Sequence, residues 1–167
     1  MSINILEANT KTILKDFVNI PFLVYASNPY WVPPIKKDEL NALLPQKNPC
    51  HKYTDTKFWV AYRNGKPVGR IGAMVHHKAI EKTGKKLGRF TRAEFIDDRE
   101  VVDLLFSTAE AWLHEQGMTG VEGPLGFTNL DHQGMLIEGF NYMPSIASEY
   151  HMDYYRKHMQ RLHYKKQ

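Results

Sequence analysis

Apolar residues recur along this chain with two different periods, and each change of period marks a new element. Val101, Val102, Leu105, Ala109, Trp112 and Leu113 fall on one face at helical spacing, with Asp103, Ser107, Glu110 and His114 on the other. Asp97 or Asp98 precedes that run as a cap and Gly117 follows it as a left-handed terminator, so a long helix is expected between them. Upstream, Phe58 to Tyr62 and Pro67 to Val75 read as two strands around Asn64-Gly65, a dipeptide suited to a tight hairpin turn. Arg89 to Ile96 reads as a third strand that feeds the long helix. Three neighbouring strands leading into a helix predict a sheet-plus-helix core with a further layer on the other face.

The flanks are shorter and more broken. Ile3 to Leu6 is a short strand, and Thr10 or Thr12 caps a helix whose apolar face is Ile13, Leu14, Phe17 and Val18. Pro21 is expected to reset the chain and begin a second helical segment through Tyr25. Asn28-Pro29-Tyr30-Trp31-Val32-Pro33-Pro34 reads as a loop, because its prolines remove donors and hold the preceding residues extended. Its Tyr30 and Trp31 either close the core or wall a substrate cleft. Lys36 to Leu44 is an amphipathic helix, and Pro45 to Thr56 a loop. The basic run from His76 to Arg92, marked by Gly84 and Gly88, is a solvated connection or an attractor for phosphates. Met118 to Gly123 reads as a strand, Leu130 to Glu138 as a short helix capped by Thr128 or Asn129, and Ile146 to Tyr150 as extended. Asp153 to Leu162 is a last helix.

Bulk properties narrow the class more than the chemistry. A chain of 167 residues with 43% apolar and 24% charged residues suits a single domain, 1–167, with a core of its own. The single cysteine, Cys50, cannot form an internal disulfide, which fits a cytoplasmic setting. No leader-like segment and no apolar run of the roughly 20 residues a membrane span requires is visible, so no membrane partner is expected. The eight histidines lack ligand spacing, so no metal is expected. The net charge of +4 is mild, and without a helix-turn-helix or an RNA-binding signature a nucleic-acid partner is not expected.

The order of elements is a short strand, two helices, a three-stranded meander, a long helix, a strand and a final helix. That order resembles the GNAT superfamily of N-acetyltransferases over nearly the whole chain, and a bacterial group of GNAT-like proteins more closely still. The likeness rests on Asn28-Pro29-Tyr30-Trp31-Val32-Pro33-Pro34, Gly69-Arg70-Ile71, Ala111-Trp112-Leu113, Gly123-Pro124, Leu136-Ile137-Glu138-Gly139-Phe140 and Tyr154-Tyr155. It implies an α/β fold of the α+β type, a mixed and mostly antiparallel sheet with helices on both faces. It also implies acetyl-CoA or another acyl-CoA lying between the fourth and fifth strands, and a small-molecule or peptide amine as acceptor. By resemblance, Phe95, Ile96, Arg99 and Asn129 fall where the cofactor is held, Tyr155 or Tyr154 where the leaving thiolate is protonated, and Glu94 (or Glu122) where a base acts through water.

The family's phosphate turn reads Arg/Gln-x-x-Gly-x-Gly/Ala. Here the junction is Phe95-Ile96-Asp97-Asp98-Arg99-Glu100-Val101, with no glycine and three carboxylates where a helix start would otherwise hold an anion. A degenerate pyrophosphate turn is therefore expected, with a non-catalytic binding or assembly domain as the alternative to an N-acyltransferase. The family continues past the last helix with two more strands. The resemblance thus implies a domain whose C-terminal strands are missing, either borrowed from a partner or carried by a longer protein of which this is a fragment, and an open sheet edge that favours a homodimer.

Overall fold

The computed structural model describes residues 2–131, 133–145 and 148–166. Its strands are β1 (Ile3–Glu7), β2 (Thr54–Arg63), β3 (Lys66–His76), β4 (Leu87–Phe95) and β5 (Gly120–Glu122). Its helices are α1 (Lys11–Val24), α2 (Lys36–Leu43), α3 (His77–Thr83), α4 (Arg99–Glu115) and α5 (Asp153–Arg161). The five strands lie side by side in chain order. The β1–β2, β2–β3 and β3–β4 pairs are antiparallel and β4–β5 is parallel, so the mixed, mostly antiparallel sheet is as expected.

Alternation along the two long strands sorts side chains between two layers. Trp59, Ala61, Ile71, Ala73 and Val75 join Val101, Val102, Leu105, Ala109 and Leu113 in the α4-side core. Phe58, Val60 and Met74 join Phe17, Val18 and Ile20 of α1 and Leu43 of α2 on the other side. Helix α4 lies close against the strands because two glycines give it room. A Cβ at Gly88 would stand 2.6 Å from the Leu113 side chain, and one at Gly69 2.8 Å from that of Leu105.

Several expectations are corrected. Pro21 does not reset the chain: α1 runs unbroken from Lys11 to Val24 through it. Proline removes the N–H that would bond to the carbonyl four residues back, here that of Phe17. Arg70 on β3 supplies the missing donor, its Nη1 lying 3.0 Å from the Phe17 carbonyl oxygen. The guanidinium also sits over the Phe17 ring, 4.7 Å from its centroid. The basic connection after β3 contains helix α3, capped by the His76 imidazole, which accepts from the Ala79 N–H, and closed by Gly84 in the left-handed conformation. Strand β2 starts at Thr54, earlier than expected, and β5 is only three residues long. The expected helix at Leu130–Glu138 is absent among the described residues, where the chain runs in turns and bends. Of the expected extended segment from Ile146 to Tyr150, Ile146 and Ala147 lie outside the described residues.

Candidate functional site

The site is made by a departure from regular pairing. On β3, Arg70 faces Glu94 and Gly72 faces Thr91, so Arg92 and Ala93 together oppose Ile71. That two-against-one arrangement is a bulge, and Arg92 carries its strain at φ 49. Strands β4 and β5 pair only from Leu87↔Gly120 to Arg89↔Glu122, and after Gly123 one further backbone bond reaches β4, from the Leu125 N–H to the Phe90 carbonyl at 3.0 Å. On the side away from β3, the second half of β4 is therefore an edge with no strand paired to it among the described residues.

Helix α5 covers that edge with two phenols. The Phe95 N–H donates to the Tyr155 hydroxyl at 3.1 Å, and the Tyr154 hydroxyl donates to the Phe95 carbonyl at 2.6 Å. Tyr25, at the end of α1, donates its own hydroxyl to that of Tyr155 at 3.1 Å. The rings reinforce the arrangement: Tyr155 stacks on Phe95 with centroids 4.4 Å apart, and on Tyr154 at 4.9 Å. Tyr155 is 0% exposed. Burial pushes the Tyr155, Tyr25 and Tyr154 phenols well above the ordinary tyrosine range, so all three stay protonated.

Beside the phenols lies a buried charge network. Arg70 Nε bonds to Glu94 at 2.6 Å and its Nη1 lies 3.7 Å from Glu39, which also pairs with Arg92 at 3.2 Å. Arg70 remains charged despite complete burial, because Glu94 and Glu39 outweigh the desolvation of its guanidinium. His151 stands close by, its ring edge-on to Tyr155 at 5.2 Å and its Nδ1 accepting from the Leu136 N–H at 3.3 Å. Burial lowers its pKa to about 4 against the usual 6.5, with Glu94 pulling the other way.

The pKa of His151 has a consequence for stability. Between pH 6.5 and 4 the unfolded chain binds a proton at this imidazole that the folded chain refuses, so stability falls as pH falls. From the size of the shift, about 3 kcal/mol should be lost across that window. Asp98, held below the ordinary carboxylate range by Arg63, adds a further loss at still lower pH. Urea unfolding at stepped pH reads this directly. The steep part of the curve should flatten in His151→Phe, and an unchanged slope in that variant would assign the acid sensitivity elsewhere.

The start of α4 is already occupied. The Asp98 carboxylate accepts from the Val101 N–H at 3.1 Å and is gripped by both terminal nitrogens of Arg63, at 2.7 and 3.0 Å. Asp97 bonds to the His158 imidazole at 2.9 Å. Asp98 thus already holds the Val101 amide of the first turn of α4, and Asp97 places a second carboxylate beside that end.

The residues proposed from sequence divide cleanly. Phe95, Tyr154 and Tyr155 converge at one point, with Glu94 one residue from it but engaged by Arg70. Ile96 turns its N–H to the Val68 carbonyl at 3.1 Å, so that amide faces away. Arg99 is 77% exposed at its side chain and reaches Asp103 at 3.6 Å. Asn129 is exposed in a turn and caps no helix, while Glu122 sits 3.7 Å from Arg89. Sequence reasoning missed Tyr25 and His151, neither of which carries a local motif, and it reached Arg70 only as part of a tripeptide. A cavity of about 1060 Å³ does not open on Tyr155. It lies along β5 and the end of α5, between apolar Val121, Leu125, Met159 and Leu162 and cationic Arg156 and Lys166.

Known proteins share this fold and parts of this sequence. No protein-family model matches the chain. It is 36% identical over 156 residues to Protein YghO of Escherichia coli (strain K12), covering 93% of this chain and 40% of that protein. It is 30% identical over 145 residues to a bacterial ceramide synthase of Caulobacter vibrioides, covering 86% of this chain and 38% of that protein. The chain thus spans well under half the length of both relatives. Among solved structures, the aminoglycoside N-acetyltransferase AAC(6')-Iy in complex with CoA superposes with a TM-score of 0.58 at 13% identity, over 99% of this chain and 89% of that one. A tandem GNAT protein from the clavulanic acid biosynthesis pathway gives 0.53 at 16% identity, over 69% of this chain and 34% of that one.

Proposed function

We propose that this chain, whose fold is that of the GNAT acetyltransferases, is the acyl-transfer unit of an amine N-acyltransferase, with an acyl-CoA as donor. The observation that carries the reading is the Phe95 N–H, turned out of the sheet toward a phenol on α5 at 3.1 Å. Transfer of an acyl group needs a fixed donor for the carbonyl oxygen and a hydrogen-bond donor for the departing sulfur. Phe95 and Tyr155 supply this pair within one contact. The acceptor nitrogen forms its bond to the carbonyl carbon as the carbon–sulfur bond breaks, and the proton it loses balances the thiolate released. Because burial raises the Tyr155 phenol, its part is to donate a hydrogen bond to sulfur rather than to ionise. Glu94 is tied to Arg70 and does not serve as the base. The acceptor is an amine on a long-chain amphiphile, a choice supported by the likeness to a ceramide synthase, since a ceramide is the amide of a long-chain amino alcohol.

The donor site is closed as it stands, because Tyr155 occupies the hydrogen bond that the acyl carbonyl needs. A second reading comes from the Asp98–Arg63 clamp on α4: a non-catalytic assembly domain that keeps the fold while another part of a longer protein does the chemistry. Calorimetric titration separates the two. Binding of acetyl-CoA or a long-chain acyl-CoA at micromolar concentration, competed by free CoA, supports transfer. No heat up to millimolar ligand leaves the assembly reading standing.

A further inference from the structure

We infer that the corner formed by the end of α1 and the loop 29–35 is a docking face for an anionic phospholipid bilayer. Three large apolar side chains project there: Leu23 is 57% exposed, Val32 53% and Ile35 69%. The loop that carries Val32 and Ile35 folds back over the end of the helix that carries Leu23. The Phe22 and Trp31 rings meet edge-on at 5.2 Å, and Lys36 lies 4.1 Å above the Phe22 ring while reaching the Asn19 side-chain oxygen at 2.7 Å. The loop is held in shape from within. The Tyr30 and Trp31 N–H groups both donate to the Asn28 side-chain oxygen, at 2.9 and 3.2 Å, and Pro29, Pro33 and Pro34 stiffen the backbone at both ends of the loop. Little ordering entropy remains to be lost when the face is engaged.

Charge selects the occupant. Lys15 on α1 and Lys36 and Lys37 at the start of α2 are exposed, beside the exposed carboxylate of Asp38, and Lys36 is fastened to the Phe22 ring and Asn19. Apolar tips combined with ammonium groups on long stems match the boundary between acyl chains and negative headgroups, where the stems stay in the interface and the charges meet the lipid phosphates. The sequence-based expectation of no membrane partner rested on spans. No helix among the described residues is long and apolar enough to cross a bilayer, and a peripheral face needs none.

The position of the face fits the proposed reaction, and this part of the inference rests on that reading. Trp31 stacks on Tyr25 at 5.2 Å, and the Tyr25 hydroxyl is the one bonded to Tyr155. The Asn28 side chain donates to the Tyr150 hydroxyl at 3.0 Å, and that hydroxyl donates to the Phe140 carbonyl at 2.8 Å. The loop bearing exposed Tyr142 (70%) and Met143 (63%) is thereby fastened to the same corner. An amphiphile with its chain in the bilayer would present its amine at headgroup level, one aromatic ring away from the phenol cluster.

The test is co-sedimentation of the full-length protein with vesicles of phosphatidylcholine and phosphatidylglycerol at about 7:3, without acyl-CoA. Partitioning should be about tenfold stronger than onto phosphatidylcholine alone. Leu23→Glu with Ile35→Glu should lower it about tenfold, and Lys36→Glu with Lys37→Glu should abolish the preference for anionic vesicles. All four positions are exposed, so melting temperatures should stay within about 2 °C of wild type and keep the comparison clean. Failure to sediment with anionic vesicles overturns the inference, as does binding indifferent to both pairs of substitutions. A dimer in lipid-free solution that Leu23→Glu converts to monomer would assign the face to a second copy instead. Because no acyl-CoA is present, this result stands or falls apart from the calorimetric titration.

Discussion

Arg70→Ala should lower the unfolding free energy by about 3–5 kcal/mol, the range for breaking a buried ion pair from one side. The guanidinium is 3% exposed and performs three tasks at once. It neutralises Glu94, which is itself mostly buried, and draws in Glu39. It also satisfies the carbonyl that Pro21 leaves open in the middle of α1. Alanine strands the Glu94 carboxylate and one backbone acceptor in the interior while Glu39 keeps Arg92, and water cannot reach both stranded groups without opening the α1-side core. The third task can be isolated. Pro21→Ala returns an N–H to the helix, so Arg70→Ala in that background should cost about 1 kcal/mol less than in wild type. Guanidinium chloride unfolding of the four proteins in the cycle measures both numbers. A total cost below about 1 kcal/mol for Arg70→Ala would show that the network is solvated and that α1 tolerates Pro21 unaided.

The second large effect is on turnover. Under the proposed reaction, Tyr155→Phe should lower kcat about 100-fold, the scale of losing one positioned hydrogen-bond donor to charge that develops in the transition state. Binding of the donor should move the other way. The phenol is at present the partner of the Phe95 N–H, and its removal frees that N–H for a thioester carbonyl. Acyl-CoA affinity should therefore hold or rise by a few fold while turnover collapses, a divergence that general damage to the fold does not produce. Stability should fall by only about 1–2 kcal/mol, since the ring stays packed against Phe95 and Tyr154. Single-turnover kinetics beside calorimetry tests the pair, and parallel loss of both quantities would contradict the assignment of Tyr155.

The layered fold was legible in the sequence because its signals are local and periodic. The α4 stripe, its aspartate cap and the Asn64-Gly65 turn each state their structure within a few residues, and all three stand as expected. Pro21 misled because its remedy lies far along the chain on β3, beyond any window of helical periodicity. The segment after Gly123 misled for a different reason. The Thr128 N–H donates to the Asp131 carboxylate and the Asp131 N–H to the Thr128 carbonyl, and that exchange across a turn imitates a helix cap without a helix behind it. Of the site, the Tyr154-Tyr155 pair and the edge of β4 could be named in advance. Tyr25 and His151 could not, since nothing in their neighbours says that they meet Tyr155 in space.

The hydroxyl contact between Tyr25 and Tyr155 joins residues 130 positions apart. The five strands can be laid down in chain order as they leave the ribosome, each beside its predecessor. The phenol cluster cannot form until α5 has emerged and swung back to the first helix. A nascent chain therefore holds a nearly finished sheet with the Phe95 amide still open to water, and synthesis of the last helix closes it.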